Sequence, residues 1–225
     1  MGGGAERRRK PRRRWSAIER ELRTAGKALI AGVDEVGRGS LAGPVVACAV
    51  IMPPDARAIA GVDDSKRLSA PERERLFHHI RRRALAFALG AASAREIDRL
   101  NIFHATVLAM QRALRRLPVA PDHVLVDGRQ LRTLGVTHTA VVGGDGRCHS
   151  IACASIIAKV TRDRLMRALA PRHPGYLWER NVGYGTRMHW DAVERDGACA
   201  HHRRSFLSSR QLCLELGDGD VLLED

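Results

Sequence analysis

The apolar positions fall into short unbroken runs early in the chain and into longer periodic stripes after them. Residues 28–33 (ALIAGV) and 45–52 (VVACAVIM) read as buried strands, with Gly39, Gly43 and Pro44 supplying the turn between them. A polar loop, VDDSKRLS, follows. Ser69 and Glu72 stand at capping-box spacing and open a helix to about Arg83, and LAFALGAA is a third strand. Ser93 and Glu96 repeat the same spacing. From there Leu100, Phe103, Val107, Met110, Leu114 and Leu117 step by three and four, one helical stripe that packs on the core and ends at Pro118. HVLVDG predicts a fourth strand ending at Asp127, HTAVVGG a fifth ending before Asp145, and SIACASIIAKVTRDRLMRAL a long helix closed by Pro171. Three strands with hairpin-like links, then helix, strand, strand and helix, predict an α/β domain around a mixed sheet. Strand one is central in it, and a crossover helix places strand four parallel beside strand one. The remainder, with VGYGTRMHW and HHRRSF, reads as loops and short helices.

Composition narrows the class. The 225 residues, 44% hydrophobic, suit one domain with an appendage, and aromatics at 4% leave the core to Ala, Leu, Ile and Val. No apolar run reaches the ~18 residues of a membrane helix, and the basic N-terminus lacks a following apolar segment. The expectation is a soluble, cytoplasmic protein. Cys48, Cys148, Cys153, Cys199 and Cys213 form no C-x-x-C pair, so neither a zinc site nor a disulfide framework is indicated. The net charge of +13 points to a polyanionic partner, nucleic acid first. Nearly half of it sits in residues 6–14, ERRRKPRRR, with seven basic residues and one acid. Residues 1–24 therefore read as a disordered basic arm able to grip phosphates, 25–170 as the main α/β domain, and 171–225 as a C-terminal cap.

The chemistry-bearing stretch is AGVDEVGRGSLAGPVV, in which Asp34 and Glu35 adjoin a Gly-Arg-Gly loop. Parallel neighbouring strands lie about 4.8 Å apart, so Asp34 and Asp127 emerge together at the carboxyl edge, where open α/β sheets hold ligands. Glu35 faces the other way in a regular strand and joins them if the strand breaks there, which Gly37 and Gly39 permit. Asp145, in GGDGR, follows the fifth strand on a loop. Four carboxylates brought together repel, and a hard divalent cation, Mg²⁺ or Mn²⁺, removes the repulsion. Two such ions about 4 Å apart suit phosphodiester hydrolysis. A metal-dependent nuclease is one reading of this spacing; turn residues and helix caps are the other.

The blocks GVDEVGRGSLAGPVV, DDSKRLS, LNIFHATVLAMQ, VLVDG, SIACASIIAKVTRD, GYGT and HHRRSF resemble, in order, those of ribonuclease HII, from about Ile30 to Phe206. The resemblance implies a ribonuclease H-like fold, a central mixed five-stranded sheet flanked by helices with a small helical C-terminal region. It implies an endonuclease that cleaves the RNA strand of RNA–DNA hybrids. It further implies nicking of duplex DNA 5′ of single embedded ribonucleotides, leaving 3′-hydroxyl and 5′-phosphate ends. A monomer with no membrane partner is expected. By resemblance Asp34, Glu35, Asp127 and Asp145 are the catalytic, metal-binding carboxylates. Gly37, Arg38 and Gly39 contact the ribose 2′-hydroxyl, Ser65 and Lys66 bind backbone phosphates, and Tyr184 packs on the sugar after the RNA–DNA junction. The 2′-hydroxyl distinguishes RNA from DNA at one position, and glycines let the main chain approach it.

Three positions depart from the family pattern. Gly143 and Val182 stand where lysines are usual, and a proline common after RRSF is absent, with Ser208 and Ser209 nearby. Two lost lysines imply weaker binding and a shallower salt dependence, for which the basic arm would compensate. Ribonuclease HIII shares the acidic opening, but its loop lacks the arginine and it usually carries an N-terminal domain for which residues 1–27 are too short. A noncatalytic hybrid-binding protein and a basic nucleic-acid-coating protein are the alternatives from other classes. His104, His138, His149, His189, His201 and His202 lack zinc-ligand spacing and read as packing or surface residues, with His149 and His202 as outside candidates for substrate contact.

Overall fold

The computed structural model describes residues 17–208. In chain order its elements are α1 (Ala17–Thr24), β1 (Ile30–Val36), β2 (Val45–Ile51), α2 (Ala70–Arg83), β3 (Ala86–Ala92), α3 (Ala94–Arg115), β4 (His123–Asp127), β5 (His138–Val141), α4 (His149–Leu169), α5 (Trp178–Asn181) and α6 (Arg187–Asp196). A last helical segment begins at Arg204. The five strands form one sheet in the order β3-β2-β1-β4-β5. β1, β2 and β3 pair antiparallel, while β4 runs parallel to both β1 and β5. The central place of β1 is as expected. Of the hairpin-like links, only β1–β2 is one; β2 reaches β3 through α2, the helix expected after Ser69.

Alternation along the strands divides the core into two layers. Ala31, Val33, Val45, Ala47, Ala49 and Ile51 pack with Ile97, Ala105, Ala109 and Met110 of α3. Cys48 and Val50 pack on the other face with Leu76, Phe77 and Ile80 of α2 and Ile156 and Ile157 of α4. Small residues set how closely the helices approach, which explains a core poor in aromatics. A side chain at Gly32 would overlap the α4 backbone at Ser150 and Ile151, and one at Gly90 the α3 backbone at Ala109.

Both expected capping boxes are present, Ser69 with Glu72 on α2 and Ser93 with Glu96 on α3. The stripe along α3 is interrupted. Asn101 (φ 65°, ψ 167°) breaks the helix, and its side-chain oxygen accepts from His104 N at 3.1 Å to restart it. The phase resets there, leaving Phe103 44% exposed rather than on the packed face.

The arm expected over residues 1–24 does not extend to its last third, since Ala17–Thr24 is helix; residues 1–16 lie outside the described residues. That helix does structural work at a distance. α4 starts at Cys148 without a side-chain cap of its own. Glu19, 6% exposed, supplies the acceptor instead, taking Ser150 N at 2.9 Å, Ser150 Oγ at 2.6 Å and His149 N at 3.3 Å. A carboxylate there satisfies amides left open by the first helical turn and meets the positive end of the helix dipole. Glu19→Ala is expected to cost about 1–3 kcal/mol, read as a lower urea midpoint.

Candidate active site

β1 and β4 are in register from Ile30↔His123 to Val33↔Val126, so Asp34 and Asp127 come next on adjacent strands. Asp34 lies on the same face as Gly32, towards α4, where Ser155 reaches its carboxyl group. Glu35 N donates to Asp34 Oδ1 at 2.7 Å. The strand break expected at Glu35 is absent: the ladder continues through Glu35↔Ala47 and Val36↔Val46, and the chain turns at Gly37 (φ 89°). Glu35 reaches the cleft from the strand end, where its carboxylate lies 3.4 Å from Arg38 Nη1. Gly144 N donates to Asp127 Oδ1 at 2.6 Å, which ties the turn bearing Asp145 to the end of β4. A Cβ at 144 would stand 2.6 Å from Ile151 Cδ1 and 3.2 Å from Asp127 Oδ1, so a side chain there would press on both tips.

These residues face a cleft of about 480 Å³ lined by Asp34, Glu35, Asp127, the Gly37-Arg38-Gly39 loop, Ser65, Lys66 and Tyr184. Asp145 stands beside it within electrostatic reach of Asp127, Asp64 and Lys66. The cleft therefore brings together Asp34, Glu35, Gly37, Arg38, Gly39, Ser65, Lys66, Asp127 and Tyr184, with Asp145 at its side. Three further lining residues, Val36 on β1 and Ser155 and Lys159 on α4, were not among those the sequence singled out. The hydroxyls of Ser155 and Ser65 lie 2.9 Å apart, and Lys159 Nζ is 2.8 Å from Asp163 and 5.2 Å from the centre of the Tyr184 ring. The spacing of 155 and 159 on one helical face carries that signal, but it blends into a core stripe. Asp64 caps the turn at Ser65, accepting from Lys66 N at 2.9 Å, and lies within electrostatic reach of Asp145.

The electrostatics are those of crowded acids. Burial, then the charges of Glu35 and Asp127, push the Asp34 carboxyl well above the usual carboxylate range. Glu35 is raised by burial and by Asp127 against the pull of Arg38. Asp145 is raised by burial and by Asp127 and Asp64. Among the described residues no three acidic, histidine or cysteine side chains close on a point as a complete metal cage. The carboxylates are an open, oxygen-only set.

The two positions lacking the usual lysines have distinct backbones. Gly143 is left-handed (φ 63°, ψ 37°), a conformation glycine adopts without strain. Val182 is left-handed too (φ 44°, ψ 35°), costly for a β-branched residue, and is held there by Arg162 Nη1 donating to its carbonyl at 2.9 Å.

His149 and His202 are 8% and 2% exposed, so neither reaches a substrate. His189 bridges α6 to the cleft: its Nδ1 lies 2.9 Å from Tyr184 O, while Trp178 Nε1 donates to its Nε2 at 3.1 Å and His202 Nε2 stands 3.1 Å away. Burial first, then the neighbouring His189, brings His202 down to about 4, and burial brings His149 to about 4. An unfolded histidine titrates near 6.5. These groups therefore bind protons more readily unfolded than folded. Their stabilisation is complete above about pH 6.5 and is lost as pH falls towards 4. Urea midpoints are expected to drop over that window, with a shallower slope in His202→Gln.

The family model for ribonuclease HII matches residues 31–209. A ribonuclease HII of Thermosynechococcus vestitus is 55% identical over 186 residues, 82% of this chain and 86% of that protein. One of Paraburkholderia xenovorans is 51% identical over 191 residues, 85% of this chain and 77% of that protein. Among solved structures, ribonuclease H2 of Pyrococcus horikoshii OT3 superposes with a TM-score of 0.68 at 25% identity, covering 83% of this chain and 98% of that one. A Bst ribonuclease HIII in complex with Mn²⁺ shares the fold, with a TM-score of 0.64 at 20% identity over 94% of this chain and 79% of that one. With a family match over most of its length and identities above half, the chain belongs to the ribonuclease HII family of endoribonucleases.

Proposed function

We propose that this endonuclease nicks duplex DNA 5′ of embedded ribonucleotides and cleaves the RNA strand of hybrids by metal-assisted hydrolysis at Asp34, Glu35, Asp127 and Asp145. The observation that carries this reading is one cleft with two unlike walls: crowded acids on β1 and β4, and facing them the Gly37-Arg38-Gly39 loop with Tyr184. The acids fit hard divalent ions, because the raised Asp34 carboxyl marks charge that the protein alone does not neutralise. An open set suffices for Mg²⁺ or Mn²⁺, which keep waters and take phosphate oxygens beside one or two carboxylates. Such ions, when bound, activate water and steady the leaving oxygen of a phosphodiester.

The chain's own groups position the substrate. The loop amides meet the ribose 2′-hydroxyl, and Ser65 N-terminal to exposed Lys66 offers donors to backbone phosphates. Tyr184, its ring flanked by Lys159 Nζ at 5.2 Å and Arg162 Cζ at 5.3 Å, presents a fixed surface to the sugar beyond the junction. A 2′-hydroxyl on that sugar would meet the ring, so a deoxyribose is preferred there. The segment from 171 onward completes this wall, since Leu41 N and Ala42 N both donate to Gly183 O.

No helix among the described residues is long and apolar enough to cross a membrane. Cys48, Cys153 and Cys199 are free cysteines, in keeping with a reducing, cytoplasmic setting. Incubation of a duplex containing one ribonucleotide with Mg²⁺ or Mn²⁺ tests the reading. A single nick 5′ of the ribonucleotide is expected, and in Tyr184→Ala the preference for a deoxyribose on its 3′ side relaxes. Tight binding with no nick would favour the noncatalytic alternative.

A further inference from the structure

The carbonyls of Gly37 and Arg38 face inward and end on one side chain, Arg203, contributed from 166 and 165 residues away. Its Nη2 donates to Gly37 O at 2.6 Å and Gly43 O at 3.0 Å, its Nη1 to Arg38 O at 2.6 Å, and its Nε to Gly43 O at 3.1 Å. The guanidinium is fully buried and donates to main-chain oxygens of the loop rather than to a carboxylate. Burying a charge in that way is costly, and a hydrophobic residue would fill the space without the cost. The arginine is itself held from both sides. Its amide donates to Leu41 O at 2.8 Å, and Asp98 on α3 accepts from Arg204 N at 3.1 Å and from Ser205 N at 3.0 Å.

Peptide geometry gives this arrangement a consequence. A trans peptide is planar, with its C=O and N–H on opposite sides, and no cis bond occurs among the described residues. The Gly37 carbonyl shares its peptide with the Arg38 amide, and the Arg38 carbonyl with the Gly39 amide. Capturing both carbonyls on the inner side therefore turns both amides outward, where Gly37, Arg38 and Gly39 line the cleft. The space behind the loop is already full, because a Cβ at Gly37 would overlap the Arg162 guanidinium.

We propose that Arg203 is the positioning residue of the ribose-reading loop: by holding the Gly37 and Arg38 carbonyls it aims the Arg38 and Gly39 amides at the 2′-hydroxyl. This rests on the reading above that the loop contacts that hydroxyl. Lysine keeps the charge and most of the stem but lacks the planar fork that reaches three carbonyls at once. The test is made in the Asp34→Asn background with Mg²⁺. Affinity is measured for a duplex with one ribonucleotide and for the same duplex in all-DNA form. Arg203→Lys is expected to weaken ribonucleotide-duplex binding by about tenfold, the worth of one or two amide hydrogen bonds, and to leave all-DNA binding unchanged. An unchanged preference overturns the proposal, as does equal weakening on both duplexes. A melting point far below that of the parent also overturns it, since Arg203 would then serve the fold rather than the loop. Gly39→Pro deletes one of the amides directly. If it lowers the preference while Arg203→Lys does not, the Arg203 role alone fails; if neither lowers it, the loop does not read the hydroxyl.

Discussion

Asp34→Asn is expected to lower nicking by about three orders of magnitude, leave hybrid binding nearly intact, and raise the melting temperature of the metal-free protein. The rate loss follows from removing the most buried of the proposed metal-binding carboxylates, with metal assistance worth several kcal/mol to the transition state. Binding survives because the loop, Lys66 and Tyr184 are untouched. The stability gain follows from the direction of the Asp34 shift. Burial and two neighbouring acids raise its folded-state pKa, so the stability linked to this group is present in acid and is lost as pH rises through the raised value. Asparagine carries no charge to lose, so the variant's advantage appears at neutral pH and vanishes in acid. Mn²⁺ or Mg²⁺ should raise the wild-type melting point by binding the folded state, and should raise that of the variant less. Thermal melts with and without metal, alongside the nick assay, check all three. A variant that cuts normally would remove Asp34 from the site.

The second large effect belongs to a residue with no chemistry. Gly32→Ala is expected to cost about 3 kcal/mol or more and to lower the melting point by about 10 °C. A methyl at 32 would overlap the main chain of Ser150 and Ile151, and a helix backbone, unlike a side-chain tip, has no rotamer in which to yield. α4 would have to lift from β1, and it carries Ser155, Lys159 and Arg162. Cleavage should therefore fall by more than stability alone explains. Gly39, with open space around it, is a useful contrast, since alanine there meets no atom within 4 Å. Calorimetry on the two alanine variants decides the point.

The regular elements were legible because their causes are local. A capping box is written in four residues, and Ser69–Glu72 and Ser93–Glu96 both form as written. Buried strands announce themselves as apolar runs, and the handed crossover rule placed Asp127 beside Asp34 without any long-range information. The acidic pair joined to the Gly-Arg-Gly loop marked the family, while the spacing of the acids alone left turn and cap roles open. The kink at Asn101 was not legible, since a helical stripe does not disclose where its phase resets.

Sequence alone thus determined the central place of β1 with β4 parallel beside it and the capped starts of α2 and α3, and it nominated the four acids, each from contacts between near neighbours or a general chirality of the chain. Tertiary structure decided what holds those acids and loops in place: Glu19 capping a helix 130 residues away, Gly32 admitting α4 against β1, and Arg203 turning the loop amides toward the cleft. Such groups act on main-chain atoms, which every residue possesses. Their partners therefore leave no mark on residue identity, and only the folded chain shows which carbonyl or amide each one meets.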